Sequence, residues 1–140
     1  MLQVGLFTEV YHPVVNGVVT AVAGLRESLD ALGHRATVFA PRRPDAPGSG
    51  EGFVGIPSLP LPMQSGYRLT LPMLPRGEVL RHVRRLDVIH LHSPFVTGWM
   101  GLTYARRYGQ PTIYTYHTQL EEYAHYVPFE PHATPTAMRL

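Results

Sequence analysis

Apolar and polar positions follow two rhythms along this chain, and the order of those rhythms predicts its fold. Leu2 to Thr8 is a short apolar run closed by a polar, proline-containing loop, the pattern of a buried strand. Asn16 then offers a helix N-cap. Val18, Val22, Leu25, Leu29 and Leu32 follow at spacings of 4, 3, 4 and 3, predicting one face of a helix that Gly33 ends as its C′ residue. Arg35 to Ala40 reads as a second strand closed by Pro41. From Pro41 to Pro75 the pattern fails, apart from a short strand at Phe53 to Ile56. Leu59, Leu61, Met63, Tyr67, Leu69 and Leu71 are apolar, but Pro57, Pro60, Pro62, Pro72 and Pro75 interrupt them too often for a regular element. They are expected to line a surface groove or loop. Arg76 to Arg85 predicts a helix and Asp87 to Leu91 a fourth strand. Ser93 as N-cap with Pro94 at the first helical position opens a helix from about Phe95 to Tyr108, ended by Gly109. Thr112 to Tyr116, β-branched and aromatic, is a fifth strand, and Ala133 to Leu140 has the pattern of a further helix.

Strand–helix–strand units with crossovers of this length imply parallel pairing and right-handed connections. The fold class is therefore α/β, a doubly wound open parallel sheet with helices on both faces and the strand order 3-2-1-4-5. In such sheets ligands bind beyond the carboxyl ends of the strands, where the order reverses. Here that switch point lies between the first and fourth strands. The loops meeting there are Glu9 to Gly17, His92 to Phe95, and His117 to Tyr123.

Composition narrows the function classes. With 44% apolar and 16% charged residues, the 140-residue chain is neither disordered nor a coiled coil. It has no cysteine, which excludes a disulfide scaffold, a cysteine zinc site and a thiol nucleophile. Its 12 basic residues are all arginine and its net charge is only +2, too little for a nucleic-acid footprint. No apolar run approaches the ~18–20 residues that span a bilayer, and the first residues do not read as a signal peptide. A cytoplasmic location is expected.

Four motifs bear on chemistry. Gly50-Glu51-Gly52-Phe53-Val54-Gly55 matches the dinucleotide pattern, but Pro57, Pro60 and Pro62 follow, so no helix starts there and the match reads as a loop. Asn16, Gly17 and Val18 open the first helix, where free N–H groups favour an anion such as a diphosphate and Gly17 lets it approach. His90 and His92 share one face of the fourth strand, and His117 ends the fifth. Three imidazoles near one crevice could hold zinc, with Glu9 the one carboxylate from the first loop. Such ligands need hydrogen-bonding partners of their own that the sequence does not identify, so no metal is expected. His117, between Tyr116 and Thr118, is the candidate to donate to a sugar hydroxyl or a developing charge. Arg76, Arg81, Arg84 and Arg85 share a helix with Val79, Leu80, Val83 and Leu86. That makes either a solvated face over a core stripe or a helix drawn to anionic lipid.

In order along the chain, Phe7-Thr8-Glu9-Val10-Tyr11-His12-Pro13, Val15-Asn16-Gly17-Val18-Val19 and Leu32-Gly33-His34 resemble the opening of the retaining family-four glycosyltransferases of GT-B fold. Asp87-Val88-Ile89-His90-Leu91-His92-Ser93-Pro94-Phe95 and Pro111-Thr112-Ile113-Tyr114-Thr115-Tyr116-His117-Thr118 continue the resemblance. Glu121-Glu122-Tyr123 with His125-Tyr126-Val127-Pro128 resembles the diacylglycerol glucosyltransferases among them. The resemblance covers nearly the whole chain. It implies that residues 1–140 form an incomplete N-terminal, acceptor-side Rossmann-like domain. The C-terminal domain that supplies most donor contacts is absent from these residues, so the fragment alone is expected to be inactive. The resemblance also implies that Gly17 approaches the donor diphosphate and that His117 sits near the transferred sugar, with no metal needed. Most of the family carry Asp where Glu9 stands.

The leading expectation is transfer of a hexose, with retention, from a nucleotide sugar such as UDP-glucose to a lipid acceptor such as diacylglycerol. The donor residues would be Asn16, Gly17 and Val18. The acceptor residues would be Tyr11, His12, Ser93, Tyr116 and Thr118, with His117 catalytic. Arg76, Arg81, Arg84 and Arg85 would make peripheral contact with the inner membrane surface. The alternatives are a phosphatidylinositol-type mannosyltransferase, a non-catalytic module binding an anionic ligand, and a metal hydrolase using His90, His92 and His117.

Overall fold

The structure, a computed structural model, describes residues 1–46, 49–62, 66–72 and 77–117. The expectations that fall on Arg76, Thr118, Glu121–Tyr123 and Ala133–Leu140 lie outside the described residues. Five parallel strands run in the expected order. They are β1 (Gln3–Phe7), β2 (Arg35–Pro41), β4 (Phe53–Ile56), β7 (Val88–Leu91) and β8 (Thr112–Tyr114), with a two-residue antiparallel strand β3 (Ser49–Gly50) at one edge. β1 is central, pairing Gly5 with Thr37 on one side and with Ile89 on the other. The helices are α1 (Gly17–Ala31), α2 (Gly77–Val83) and α3 (Val96–Tyr108).

Period-two alternation in the strands builds two cores, one on each face of the sheet. Val4, Leu6, Ala36, Val38 and Ala40 pack with Val22 under α1. Phe7, Phe39, Val54, Ile56, Ile89 and Leu91 pack on the other face with Val79 and Val83 of α2 and Met100 and Tyr104 of α3. The Phe7 and Phe39 rings stack in parallel with centroids 4.5 Å apart. Gly5 permits this packing, because a Cβ there would come 2.4 Å from Leu86 Cδ1.

Local signals position α1. Asn16 Oδ1 accepts from Val19 N at 2.9 Å. At the other end Gly33 takes φ +83°, with Gly33 N donating to Asp30 O and His34 N to Leu29 O, a complete Schellman closure. The buried face differs in two residues from the predicted one. Val19 is buried, whereas Leu32, past the last helical residue, is 74% exposed.

Two further differences and one agreement stand out. The proline-rich stretch does contain regular structure: β5 (Ser58–Pro60) and β6 (Arg68–Thr70) form a separate antiparallel ribbon. Prolines are tolerated there because each strand of a two-stranded ribbon keeps an unpaired outer edge. Arg68 locks the ribbon, donating from Nε to Ser58 Oγ at 2.8 Å and from Nη2 to Ser58 O at 3.0 Å. The dinucleotide-like glycines form the β3–β4 turn, with Gly52 at φ +71° and no helix following. Finally, α2 ends at Val83, and its apolar residues Val79 and Val83, with Leu86 beyond it, lie in the core. That excludes the reading in which α2 lays an apolar face into a membrane.

Candidate active site

At the carboxyl ends of the central strands, backbone bonds extend the parallel ladders by one step. Thr8 N donates to Phe39 O at 3.0 Å, His92 N to Phe7 O at 2.9 Å and Thr115 N to Leu91 O at 2.9 Å. The residues just past the strands are thereby held as firmly as the strands themselves. They border a cavity of about 460 Å³ whose walls are mostly apolar, with Leu61, Tyr67 and Leu69 from the ribbon facing Glu9, Ser93, Tyr116 and His117.

Glu9 holds three elements together at this cavity. Its Oε2 accepts from Thr97 N at 2.9 Å, from Thr97 Oγ1, and from Ser93 Oγ at 3.3 Å; its Oε1 accepts from Thr70 Oγ1 at 3.1 Å. Thr97 is the second residue of α3, whose N-cap Phe95 offers no side-chain acceptor. A carboxylate from the β1 loop thus does the capping, satisfying a free helix N–H and the positive end of the helix dipole. Ser93 is correspondingly not the N-cap, and Pro94 is not the first helical residue. Ser93 Oγ instead accepts from Phe95 N at 3.0 Å, turning the chain before α3 starts at Val96. Gly98 makes the tight turn possible, since a Cβ there would lie 1.8 Å from Ser93 O.

The histidines form a stack. His90 and His92 face the same way from β7, as their spacing predicts, with ring centroids 4.1 Å apart; the His92 and His117 centroids are 5.2 Å apart. His90 Nε2 lies 2.7 Å from Thr115 Oγ1, and His92 Nδ1 lies 2.9 Å from His117 Nε2. Burial, with His90 and His117 adding to it, pushes the His92 pKa down to about 3. Burial also lowers that of His90, with His117 contributing. His92 is only 5% exposed, and its Nε2 is enclosed with no hydrogen-bond partner among the described residues. Among the described residues no three His, Asp or Glu side chains are placed to share a metal ion.

The cavity gathers Asn16, Val18, Ser93, Tyr116 and His117 from the sequence-derived candidates. Gly17, between two of them, is exposed with open space where a Cβ would stand. Tyr11 and His12 are not brought to this cavity. They border a separate small crevice, and the Tyr11 ring packs against Phe53 with centroids 5.9 Å apart. Arg84 Nε donates to Tyr108 Oη at 3.4 Å, its guanidinium lying 5.6 Å from that ring's centre, while Arg85 borders a cavity at the other end of the sheet. Arg81 lies on the exposed side of α2. No local pattern in the sequence signals the bracing by Glu9, Thr70 and Thr97 or the His92–His117 bond. Glu9 was visible only as the one acid in the first switch-point loop, and its partners lie 61 to 88 residues away.

The sequence model of Glycosyltransferase Family 4 matches residues 15–139. The chain is 38% identical over 134 residues to the alpha-monoglucosyldiacylglycerol synthase of Acholeplasma laidlawii, an alignment covering 90% of this chain and 32% of that protein. To the synthase of the same name from Streptococcus pneumoniae it is 32% identical over 127 residues, covering 90% of this chain and 29% of that one. To a GDP-mannose-dependent alpha-mannosyltransferase of Mycobacterium tuberculosis it is 35% identical over 132 residues, covering 88% and 34%. The chain spans about a third of the length of these relatives.

Proposed function

The chain belongs to Glycosyltransferase Family 4, and on that premise we propose that it is the N-terminal, acceptor-side part of a hexosyltransferase. The donor is a nucleotide sugar such as UDP-glucose. The acceptor is the hydroxyl of a lipid such as diacylglycerol, and transfer proceeds with retention and without a metal. In the transfer, the acceptor oxygen bonds to the anomeric carbon as the bond to the diphosphate oxygen breaks. The nucleoside diphosphate leaves with the electron pair and takes up the proton that the acceptor hydroxyl releases. The 140 residues by themselves are inactive, because the donor is held mainly by a second domain.

The observation that carries this reading is the apolar cavity joined to His117 at the switch point. A greasy acceptor fits walls made of Leu61, Tyr67 and Leu69, with its hydroxyl brought to the polar end beside Ser93 and His117. Phe95 at the cavity's rim and Trp99 one helical turn beyond it are 61% and 67% exposed, which suits an acceptor whose tails stay in a bilayer. Asn16, Gly17 and Val18 at the start of α1 suit the diphosphate. A charge-based contact of Arg81, Arg84 and Arg85 with an anionic membrane surface is a separate proposal, since Arg85 borders the cavity at the opposite end of the sheet. Among the described residues no helix is long and apolar enough to cross a membrane.

The mannosyltransferase relatives favour a second reading in which GDP-mannose is the donor; the acceptor paired with it in this reading is of phosphatidylinositol type. The test is to incubate the full-length protein with radiolabelled UDP-glucose or GDP-mannose and vesicles containing diacylglycerol or phosphatidylinositol. Labelled neutral glycolipid from UDP-glucose is expected. Label in a mannosyl phosphoinositide selects the second reading, and binding of nucleotide sugar with no labelled lipid from any pair defeats both.

A further inference from the structure

His92 has no part in the proposed transfer, yet it is the most enclosed titratable side chain at the cavity and bonds directly to His117. The 2.9 Å separation of His92 Nδ1 from His117 Nε2 holds one shared proton when both rings are neutral. That proton belongs either to His92 or to His117, and the choice sets both tautomers. The other nitrogen of His92 decides. Its Nε2 is enclosed with no partner among the described residues, and an N–H left there would be an orphaned buried donor, a rarer arrangement than an under-used acceptor. Nε2 is therefore the bare nitrogen, and His92 carries its proton on Nδ1.

We propose that His92 is a positioning residue: its Nδ1–H donates to His117 Nε2, so that His117 keeps its own proton on Nδ1, the nitrogen left to donate into the cavity. The surroundings hold this order in place. The His90 ring lies against His92 and is itself tied to Thr115 Oγ1. Burial keeps His92 neutral throughout the physiological range. The consequence for catalysis rests on the function proposed above; the proton order does not.

Long-range proton–nitrogen NMR on the histidine-labelled full-length protein near pH 8 reads both tautomers directly. The expected result is a protonated Nδ1 on both His92 and His117. In His92→Phe the His117 proton should move to Nε2, as in a solvated side chain. In His92→Asn, whose amide can donate from nearly the same place, it should stay on Nδ1. Under the proposed activity, His92→Phe lowers kcat about 10–100-fold with donor KM unchanged, the scale seen when the partner that orients a functional histidine is lost, and His92→Asn recovers most of it. A protonated Nε2 on His117 in the unaltered protein overturns the inference, as does a His117 signature indifferent to His92→Phe. The expected tautomers in a protein that transfers no sugar would uphold the inference and defeat the functional reading.

Discussion

The sheet has a cavity at each end, and the larger one is not the candidate site. At the amino ends of the strands a space of about 680 Å³ is bordered by Arg26, His34, Arg35, His82 and Arg85, with Asp30 and Glu51 among them. At the carboxyl ends the space of about 460 Å³ is walled by rings and aliphatic side chains around Glu9, Ser93 and His117. Strand polarity explains the contrast. In a doubly wound sheet the helices run back against the strands, so helix amino ends gather at one pole and carboxyl ends at the other. α2 places Arg81 in its last turn, and a cation there complements the negative end of the helix dipole. At the opposite pole the complement to α3 is Glu9, which leaves the apolar walls and the enclosed nitrogen of His92 without an internal explanation. Volume and charge point to one pole of this molecule, and unsatisfied chemistry points to the other, at the switch point.

Substitutions at the two poles should therefore differ in kind, and the largest difference is expected in rate. His117→Ala in the full-length enzyme should lower kcat by about 10²–10³ with donor affinity little changed, the scale of one lost transition-state hydrogen bond. Arg35→Ala at the other pole should change kcat less than about twofold, since it touches neither substrate nor bracing. Steady-state kinetics of both variants break the comparison if they come out alike.

Packing tolerance should separate the poles next. Gly98→Ala forces a Cβ against the Ser93 carbonyl, backbone that cannot step aside, and should cost about 3 kcal/mol in chemical denaturation. Acid should act mainly at the histidine pole. The pKa of His92 is depressed in the folded protein, so the unfolded chain binds the extra proton as pH falls. The stability it contributes is complete above about pH 6.5 and is lost progressively towards pH 3. Between pH 7 and 4.5 this amounts to about 2–3 kcal/mol, to be read from denaturation curves at each pH and flattened in His92→Phe. Depression of the His90 pKa adds in the same direction.

Loss of the Glu9 brace should be smaller. Glu9→Ala removes an acceptor shared by Thr97, Ser93 and Thr70 and should lower stability by about 2 kcal/mol. Glu9→Gln, which still accepts from Thr97 N, should lower it by about 0.5 kcal/mol, the part due to the helix dipole. Gly24→Ala marks the opposite limit. Nothing lies within 4 Å of a Cβ there, and helix propensity alone should raise thermal stability by about 1 kcal/mol.

Strand order, the two-sided layering and the place of the switch point could be read from the chain because they follow from local rules. Side-chain period tells strand from helix, Asn16 and Gly33 mark where α1 starts and stops, and a βαβ connection has one hand. His90 and His92 could be put on one face because strand residues two apart always share one. The β5–β6 ribbon could not be foreseen, because proline is excluded from ladders in general and tolerated only where an outer edge is free, which is a property of the assembled sheet. Nor could the cap of α3: the residue before the helix suggested Ser93, but Glu9, 88 residues from Thr97, supplies the carboxylate. Tyr11 was nominated for the cavity by its place in the chain, and Phe53, on a strand two positions across the sheet, draws its ring away. The proton order between His92 and His117 depends on which nitrogen is enclosed. Enclosure is a sum over neighbours from separate elements, brought together only when the register of β1, β7 and β8 is set. Local conformational preferences act over a few residues and are written in the sequence. Satisfaction of buried polar groups acts across the whole sheet, and only the tertiary structure decides it.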